Sequence, residues 1–384
     1  MPRSREPRSR PSYPRNSRNR PRSTVPTQQG PPQLNRVPWP AVAVFTVVAV
    51  GLAWAVALPL WLTETTDPAF PSLFSALAQA MMFTPLLATL VVVFLMRVPG
   101  RERLRFLGMW PLRPAKRVVW FTVAAMFAPI VIIVLSIVIA ALFGWAKLDL
   151  VHFSGFAETL AATTPEGMQD LLPPPGVIIL AQLVSLPLGV LINSVVAFGE
   201  EIGWRGWLLP ALRPLGTWPS LLISGAIWGL WHSPVILLGY NFGLTDWRGV
   251  ALMTIGCVFW GALLGWSRLR TGSVWPAVIG HASLNAGAAL IMLVIAAGVE
   301  VNPVLVFPIG VAGWIAVAVV LVVLVVTGQF SDERQPPLAP QRVRGGQPLP
   351  EAHQGDLAPG APAQGAPAQG APAQGDSASG APAP

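Results

Sequence analysis

Long apolar stretches recur through the middle of this 384-residue chain and limit what it can fold into. Each is about 20 residues long, which lets a helix cross a hydrocarbon core roughly 30 Å thick. Strands of a membrane β-barrel would alternate apolar and polar residues, and these stretches do not. The chain is also 53% hydrophobic and only 11% charged, so it has too few charges to solvate a globular surface of that size. The sequence therefore predicts an all-α fold, a polytopic transmembrane helical bundle with disordered termini.

The apolar stretches give about eight predicted spans. They cover residues 41–62, 73–96, 118–143, 177–210, 219–238, 250–266, 274–298 and 303–326. The fourth is too long for one simple crossing, so we expect it to tilt strongly or to lie partly along the interface. All the spans belong to one transmembrane domain, residues 39–328, and no second folded domain is predicted.

Charged residues divide between the loops on the two sides of the predicted bundle. The loop between the second and third spans is basic and carries Arg97, Arg101, Arg103, Arg105, Arg113, Lys116 and Arg117. The loops on the other side are acidic and carry Glu64, Asp67, Asp149, Glu158, Glu166 and Asp170. Lysine and arginine accumulate in cytoplasmic loops. We therefore predict an integral protein of the plasma membrane with both termini in the cytoplasm.

The two ends of the chain have compositions typical of disorder. Residues 1–38 form an arm rich in Pro, Ser and Asn, with Glu6 as its one acidic residue. Its nine arginines minus that glutamate equal the whole formal net charge of +8. We interpret the arm as a topological signal that also touches anionic lipid, so no nucleic-acid partner is expected. Residues 329–384 form a flexible tail in which Gly-Ala-Pro-Ala-Gln repeats over residues 360–374.

Ionisable side chains inside the predicted spans carry most of the functional information, because lipid penalises each one that lacks a partner or a watery cavity. Of 17 acidic residues only Glu200 and Glu201 lie in a span, and of 4 histidines only His232 and His281 do. With Asn285, they lie about 10 to 20 Å from the arginine-rich side of the bundle. Each alone could be an ion-pair or hydrogen-bond partner between helices. Together, Glu200, His232, His281 and Asn285 predict one site that opens to the cytoplasm.

Three pairs of residues are spaced four apart, so that each pair shares one helix face. They are Glu201 with Arg205, Trp228 with His232, and His281 with Asn285. We expect the first pair to be a buried ion pair that orients its helix and leaves the neighbouring Glu200 on another face. The lone cysteine, Cys257, excludes a disulfide within the chain and a cysteine-based metal cluster.

Asn193 lies seven residues before Glu200, on nearly the same helix stripe and about 10 Å deeper in the membrane. An amide in lipid needs a partner. Two interpretations stay open. Asn193 is either a hydrogen-bond donor to a neighbouring helix, or a supporting residue that closes the inner end of the cavity and holds a water in line with Glu200.

Three segments of the chain resemble the signature motifs of a known family. They are Glu200-Glu201-Ile-Gly-Trp-Arg205, Trp228-Gly-Leu-Trp-His232 and His281-Ala-Ser-Leu-Asn285. In this order and with these separations, they resemble the CAAX prenyl protease and bacteriocin-processing family (CPBP, Abi-like), the intramembrane peptidases called type II CAAX endopeptidases. The resemblance covers residues 177–290, and Trp228 stands where that family usually has phenylalanine.

The resemblance implies that Glu200 and His232 activate the attacking water, while His281 and Asn285 stabilise the oxyanion. The other motif residues, Glu201, Arg205 and Trp228, would support them. Two histidines and a carboxylate could equally hold a divalent metal such as zinc, through Glu200, His232 and His281. That family is described both as metal-dependent and as glutamate-type, and no His-Glu-x-x-His helix is present to favour zinc. The cofactor therefore stays open.

The sequence thus predicts an intramembrane endopeptidase that hydrolyses a peptide bond of a membrane-proximal peptide or membrane protein. Its partners would be that substrate and the lipid bilayer. One alternative is a non-catalytic immunity or scaffold protein that uses the same residues to bind a peptide. Another is a proton-coupled transporter, since Glu and His also make proton relays in membranes. Transporters often show internal repeats, which are not evident here.

Overall fold

The structure is a computed structural model that describes residues 32–165, 167–336 and 339–341. Glu166, most of the predicted arm and most of the predicted tail lie outside the described residues. All the described residues belong to one compact unit, Met1–Gly345.

The described chain is almost entirely helical. Its α-helices are α1 (Trp39–Leu62), α2 (Phe70–Met81), α3 (Thr84–Leu90), α4 (Arg103–Phe106), α5 (Ala115–Leu142), α6 (Ser154–Thr163), α7 (Pro175–Glu201), α8 (Leu209–Leu212), α9 (Thr217–Trp231), α10 (Ser233–Ile236), α11 (Trp247–Thr271), α12 (Trp275–Gly287), α13 (Pro303–Val306) and α14 (Val311–Val326). Segments of π-helix cover Val91–Leu95 and Ile202–Leu208, and 3₁₀ turns cover Gln169–Leu171, Arg213–Leu215, Leu290–Leu293 and Asp332–Arg334. Two short strands, β1 (Pro32–Leu34) and β2 (Ala339–Gln341), pair in parallel.

Seven continuous helical stretches of the described chain are long and apolar enough to cross a membrane. They are Trp39–Leu62, Phe70–Leu95, Ala115–Leu142, Pro175–Leu215, Trp247–Thr271, Trp275–Leu293 and Pro303–Val326. The predicted transmembrane helical bundle is therefore confirmed. The stretch from Pro175 to Leu215 is 41 residues long, which agrees with the expectation that the fourth span is too long for one simple crossing.

The fifth predicted span, residues 219–238, differs from the prediction. Its helix α9 has only 15 residues and ends at Trp231, and the short α10 follows it. Pro234 explains the break, because a proline nitrogen cannot donate to the carbonyl one turn earlier. Among the described helices, seven rather than eight therefore have the length and composition of a span.

The loops of the bundle gather at two opposite ends. At one end, the loop before α5 meets the end of α11, where Arg268 Nη2 donates to the Phe106 carbonyl at 2.7 Å. We call this the arginine-rich end. At the other end, a bridge joins Leu148 to Ile295, and Trp61 Nε1 donates to the Pro234 carbonyl at 3.0 Å. Because β1 precedes α1 and pairs with β2 after α14, the described chain begins and ends at the same end of the bundle.

Close approach between helices sets the positions of the motif segments. At Gly229 of α9, a Cβ would stand 2.3 Å from the Thr254 Cα of α11, so only glycine allows this contact. At Gly203, just after α7, a Cβ would stand 2.5 Å from the Pro85 Cβ of α3. Small residues of this kind replace the hydrophobic driving force that lipid does not supply between helices. They bring the end of α7 and the end of α9 into one layer.

Candidate active site

Glu200 lies in the last turn of α7 and is only 2% exposed. Its Oε2 accepts two hydrogen bonds from indole groups, one from Trp228 Nε1 at 2.7 Å and one from Trp204 Nε1 at 3.3 Å. Trp228 belongs to α9, so the first of these bonds also joins two helices. Hydrogen bonds to a charged acceptor are stronger than those between neutral groups. The two indoles therefore fix the position of this carboxylate.

The chain changes from α-helix to π-helix directly after Glu201. Each of the two neighbouring carboxylates meets a partner four residues ahead: Glu200 meets Trp204, and Glu201 meets Arg205. The two acids thus have separate surroundings although they are adjacent in sequence. Short π-helical segments inside α-helices are frequent at functional sites.

Glu201 is fully buried and accepts hydrogen bonds from two partners. Its Oε1 accepts from Arg205 Nη1 at 2.6 Å and from His281 Nδ1 at 2.9 Å. The guanidinium of Arg205 lies over the Trp228 ring, 4.3 Å from its centroid. The ion pair with Arg205 was predicted from spacing, but the bond to His281 was not. Glu201 therefore orients a residue of the predicted site in addition to its own helix.

His232 ends α9 and is held through one ring nitrogen. Its Nδ1 lies 2.9 Å from the Trp228 carbonyl, and because a carbonyl only accepts, Nδ1 carries the proton. The lone pair of a neutral ring then lies on Nε2. Cys257 Sγ of α11 lies 3.9 Å from Nδ1 on a fully buried side chain. Sequence reasoning missed Cys257 as a neighbour of the site, although its position in the middle of an apolar helix that follows α9 was a usable signal.

The two predicted asparagines lie apart from this cluster. Asn285 is one turn after His281 on α12, and its side chain is exposed. Asn193 is half-buried, and its Nδ2 donates to the Gly189 carbonyl of its own helix at 3.0 Å. The described bond lies within α7, so the expected partner on a neighbouring helix is not observed among the described residues, and the role in holding a water stays a prediction. The structure thus brings together Glu200, Glu201, Arg205, Trp228, His232 and His281, with Trp204 as an unpredicted member.

Three polar atoms of the cluster remain open to other partners. They are Glu200 Oε1, His232 Nε2 and His281 Nε2. Among the described residues, these atoms make no hydrogen bond. They differ in this from Glu201 Oε2, which also has no partner but is fully buried. One carboxylate oxygen and two imidazole nitrogens of the cluster are therefore available to further partners.

The predicted metal ligands can be compared with this geometry. Among the described residues, no three His, Cys, Asp or Glu side chains are placed so that they could hold a metal ion. The Nδ1 contacts of the two histidines leave their Nε2 atoms free, so the placement of the side chains, and not a lack of donor atoms, accounts for this result. In this arrangement Glu200, His232 and His281 do not fit a metal ion.

Residues 182–287 match the family model described as Type II CAAX prenyl endopeptidase Rce1-like. This segment of the chain is Rce1-like. The match confirms the family resemblance, and the Rce1-like segment contains every member of the cluster, from Glu200 to His281, together with Asn285. No curated protein matched the chain. Together with the seven apolar helices, the match identifies an integral membrane protein of the CAAX-protease kind, for which a peptide is the general class of substrate.

The shared carboxylate of Glu201 gives a test of its structural role. We expect Glu201→Gln to lower the free energy of unfolding by about 3 to 5 kcal/mol, because it leaves the buried Arg205 without a counter-charge. The measurement is thermal unfolding of the detergent-purified protein together with its abundance in membranes. Glu200→Gln is the matched control, since it keeps the Arg205 pair. Adding Arg205→Met to Glu201→Gln should recover much of the loss, and greater damage from Glu200→Gln than from Glu201→Gln would contradict this division of roles.

Proposed function

We propose that this protein is an intramembrane endopeptidase in which Glu200 and His232 activate water against a peptide carbonyl. The observation that carries the proposal is the arrangement of Glu200: two indole N–H groups hold one carboxylate oxygen, while the other oxygen makes no hydrogen bond among the described residues. A general base needs this combination of a fixed position and an open lone pair.

In the proposed first step, Glu200 Oε1 removes a proton from a water molecule as the water oxygen attacks the carbonyl carbon. The carbon–oxygen double bond opens, and its electron pair moves to the oxygen. His232 accepts a hydrogen bond from the same water through its Nε2 lone pair. That lone pair is available because Nδ1 carries the ring proton and donates it to the Trp228 carbonyl. The proton taken by Glu200 then passes to the leaving amine as the peptide bond breaks.

His281 is suited to the oxyanion because of the charges around it. Two carboxylates, Glu200 and Glu201, share the cluster with one guanidinium, Arg205, so a protonated His281 brings the sum of the four charges to zero. Its Nδ1–H is bonded to Glu201, which leaves Nε2–H to donate to the developing negative charge. Such donors act strongly where bulk water is excluded. The exposed amide of Asn285, one turn away, supplies the second donor in this proposal.

The residues of the proposed site lie at different distances from the arginine-rich end of the bundle. His281 is six residues into α12, or about 9 Å, and His232 follows the 15 residues of α9, or about 22 Å. Because basic loops mark the cytoplasmic side, we propose a plasma-membrane location with both termini and the site opening in the cytoplasm. The substrate would be a peptide or membrane protein with its cleaved bond close to that face.

The proposed base can be tested without a known substrate. Glu200→Gln keeps the volume and an oxygen acceptor for the indoles, so the protein should accumulate as wild type does, while cleavage falls by about a hundredfold or more. The measurement is a proteomic comparison of membranes that contain the wild type or the variant, scored for new peptide termini. Glu158→Gln, in an outer loop, is the control. If Glu200→Gln membranes carried the same cleaved peptides as wild type, the protein would be a non-catalytic binder instead.

The proposed orientation has its own measurement. Cysteines placed at the exposed Arg101 and Asp170 lie in loops at opposite ends of the bundle, and the native Cys257 is buried away from reagents. Arg101→Cys should react only after a thiol reagent enters the cell, and Asp170→Cys should react with an impermeant reagent outside. The reverse pattern would overturn the orientation.

A further inference from the structure

Three arginines from separate elements converge at the arginine-rich end, away from the candidate active site. Arg117 lies in the first turn of α5, Arg270 in the last turn of α11, and Arg334 in the 3₁₀ turn after α14. Arg117 Nη1 donates to the Arg270 carbonyl at 3.3 Å, and Arg270 Nη1 donates to the Arg334 carbonyl. We call these residues the arginine trio. The side chains of Arg117 and Arg270 are thus held by backbone oxygens and not by carboxylates.

The trio is not balanced by acids in the described chain. The described ion pairs of arginine involve Arg105, Arg205, Arg213 and Arg248. Asp332, two residues before Arg334, pairs instead with Arg213, and the distance from Asp332 Oδ1 to Arg213 Nη2 is 3.4 Å. The charged groups that interact with Arg270 are Arg117 and Arg334, which are both cations. Its Nε is buried and has no partner among the described residues. Among the described residues these three cations have no acidic partner, so an anion from outside the chain would offset their repulsion.

The surroundings of the trio are those of a membrane interface. Its first two members belong to helices long enough to span a bilayer, and each lies at a helix end. Phe121 lies beneath Arg270, with 5.9 Å from the guanidinium to the ring centroid, and its ring packs against Trp266 at 5.3 Å. Aromatic side chains of this kind concentrate at the level of lipid headgroups. The first turn of α5, which has no side-chain cap, adds the positive end of a helix dipole.

We propose that the arginine trio binds the phosphate group of an anionic phospholipid. Guanidinium groups present paired N–H donors that match phosphate oxygens, and three of them surround one anion with both charge and direction. The position at the ends of two membrane helices selects a headgroup over phosphate from solution. A bound headgroup would join α5, α11 and the segment after α14. This proposal is independent of the proposed peptidase chemistry.

The test is lipid binding by the purified full chain in neutral detergent, followed by native mass spectrometry during titration with phosphatidylglycerol or phosphatidylcholine. We expect phosphatidylglycerol to bind preferentially. Arg334→Gln should weaken that binding by about fivefold, the effect of one basic residue at a membrane surface. This variant keeps the Arg334 carbonyl that positions Arg270, so it changes charge without removing the tie. Arg270→Gln should weaken binding more strongly, and thermal unfolding of each variant reports whether it is folded.

Arg113→Gln is the matched control, because Arg113 is an exposed arginine in the loop just before α5 and outside the trio. It removes the same charge from the same end of the bundle and should leave phosphatidylglycerol binding nearly unchanged. Equal losses in Arg113→Gln and Arg334→Gln would overturn the proposal in favour of diffuse surface charge. Binding that inorganic phosphate displaces at equal concentration would overturn the lipid assignment. Wild-type binding by folded Arg334→Gln and Arg270→Gln would overturn the site altogether.

Discussion

The buried carboxylate of Glu201 is the interaction on which the rest of the site depends. It accepts from Arg205 on its own helix and from His281 on α12, and Arg205 in turn stacks on Trp228 of α9. One charged group thus connects three helices in a layer where lipid supplies no hydrophobic force to hold them together. Removing a single partner would leave an uncompensated charge, which costs far more than the intact pair contributes.

Glu200 and Glu201 have different surroundings because Arg205, the cation nearest to both in sequence, pairs with Glu201. Four-residue spacing places Trp204 against the first carboxylate and Arg205 against the second. Indole groups hold Glu200 without neutralising its charge, which preserves the lone pair that the proposed chemistry uses. Adjacent acids with separate surroundings are a recurrent way to obtain two roles from one residue type.

The sequence was informative where position alone decides the outcome. Span length predicted the helical bundle, four-residue spacing predicted the Glu201–Arg205 pair, and the motif order predicted the Rce1-like segment. Contacts between distant segments could not be read in this way. The bonds from Trp228 to Glu200 and from His281 to Glu201 depend on how the helices cross. The end of α9 depends on Pro234, whose nitrogen cannot donate the hydrogen bond of a continuous helix. For Asn193, the sequence did not reveal that the Gly189 carbonyl of the same helix accepts a hydrogen bond from its amide.

The central claim is that the Glu200 carboxylate acts on water directly. The most direct measurement is the single-turnover rate of peptide cleavage by the purified protein before and after exhaustive treatment with a chelator, with metal content determined in the same samples. If the Glu200 carboxylate acts on water directly, the cleavage rate of the metal-free protein is unchanged. A rate that falls with metal removal and returns when zinc is restored would contradict it, because the cluster of Glu200, His232 and His281 would then have to rearrange around an ion.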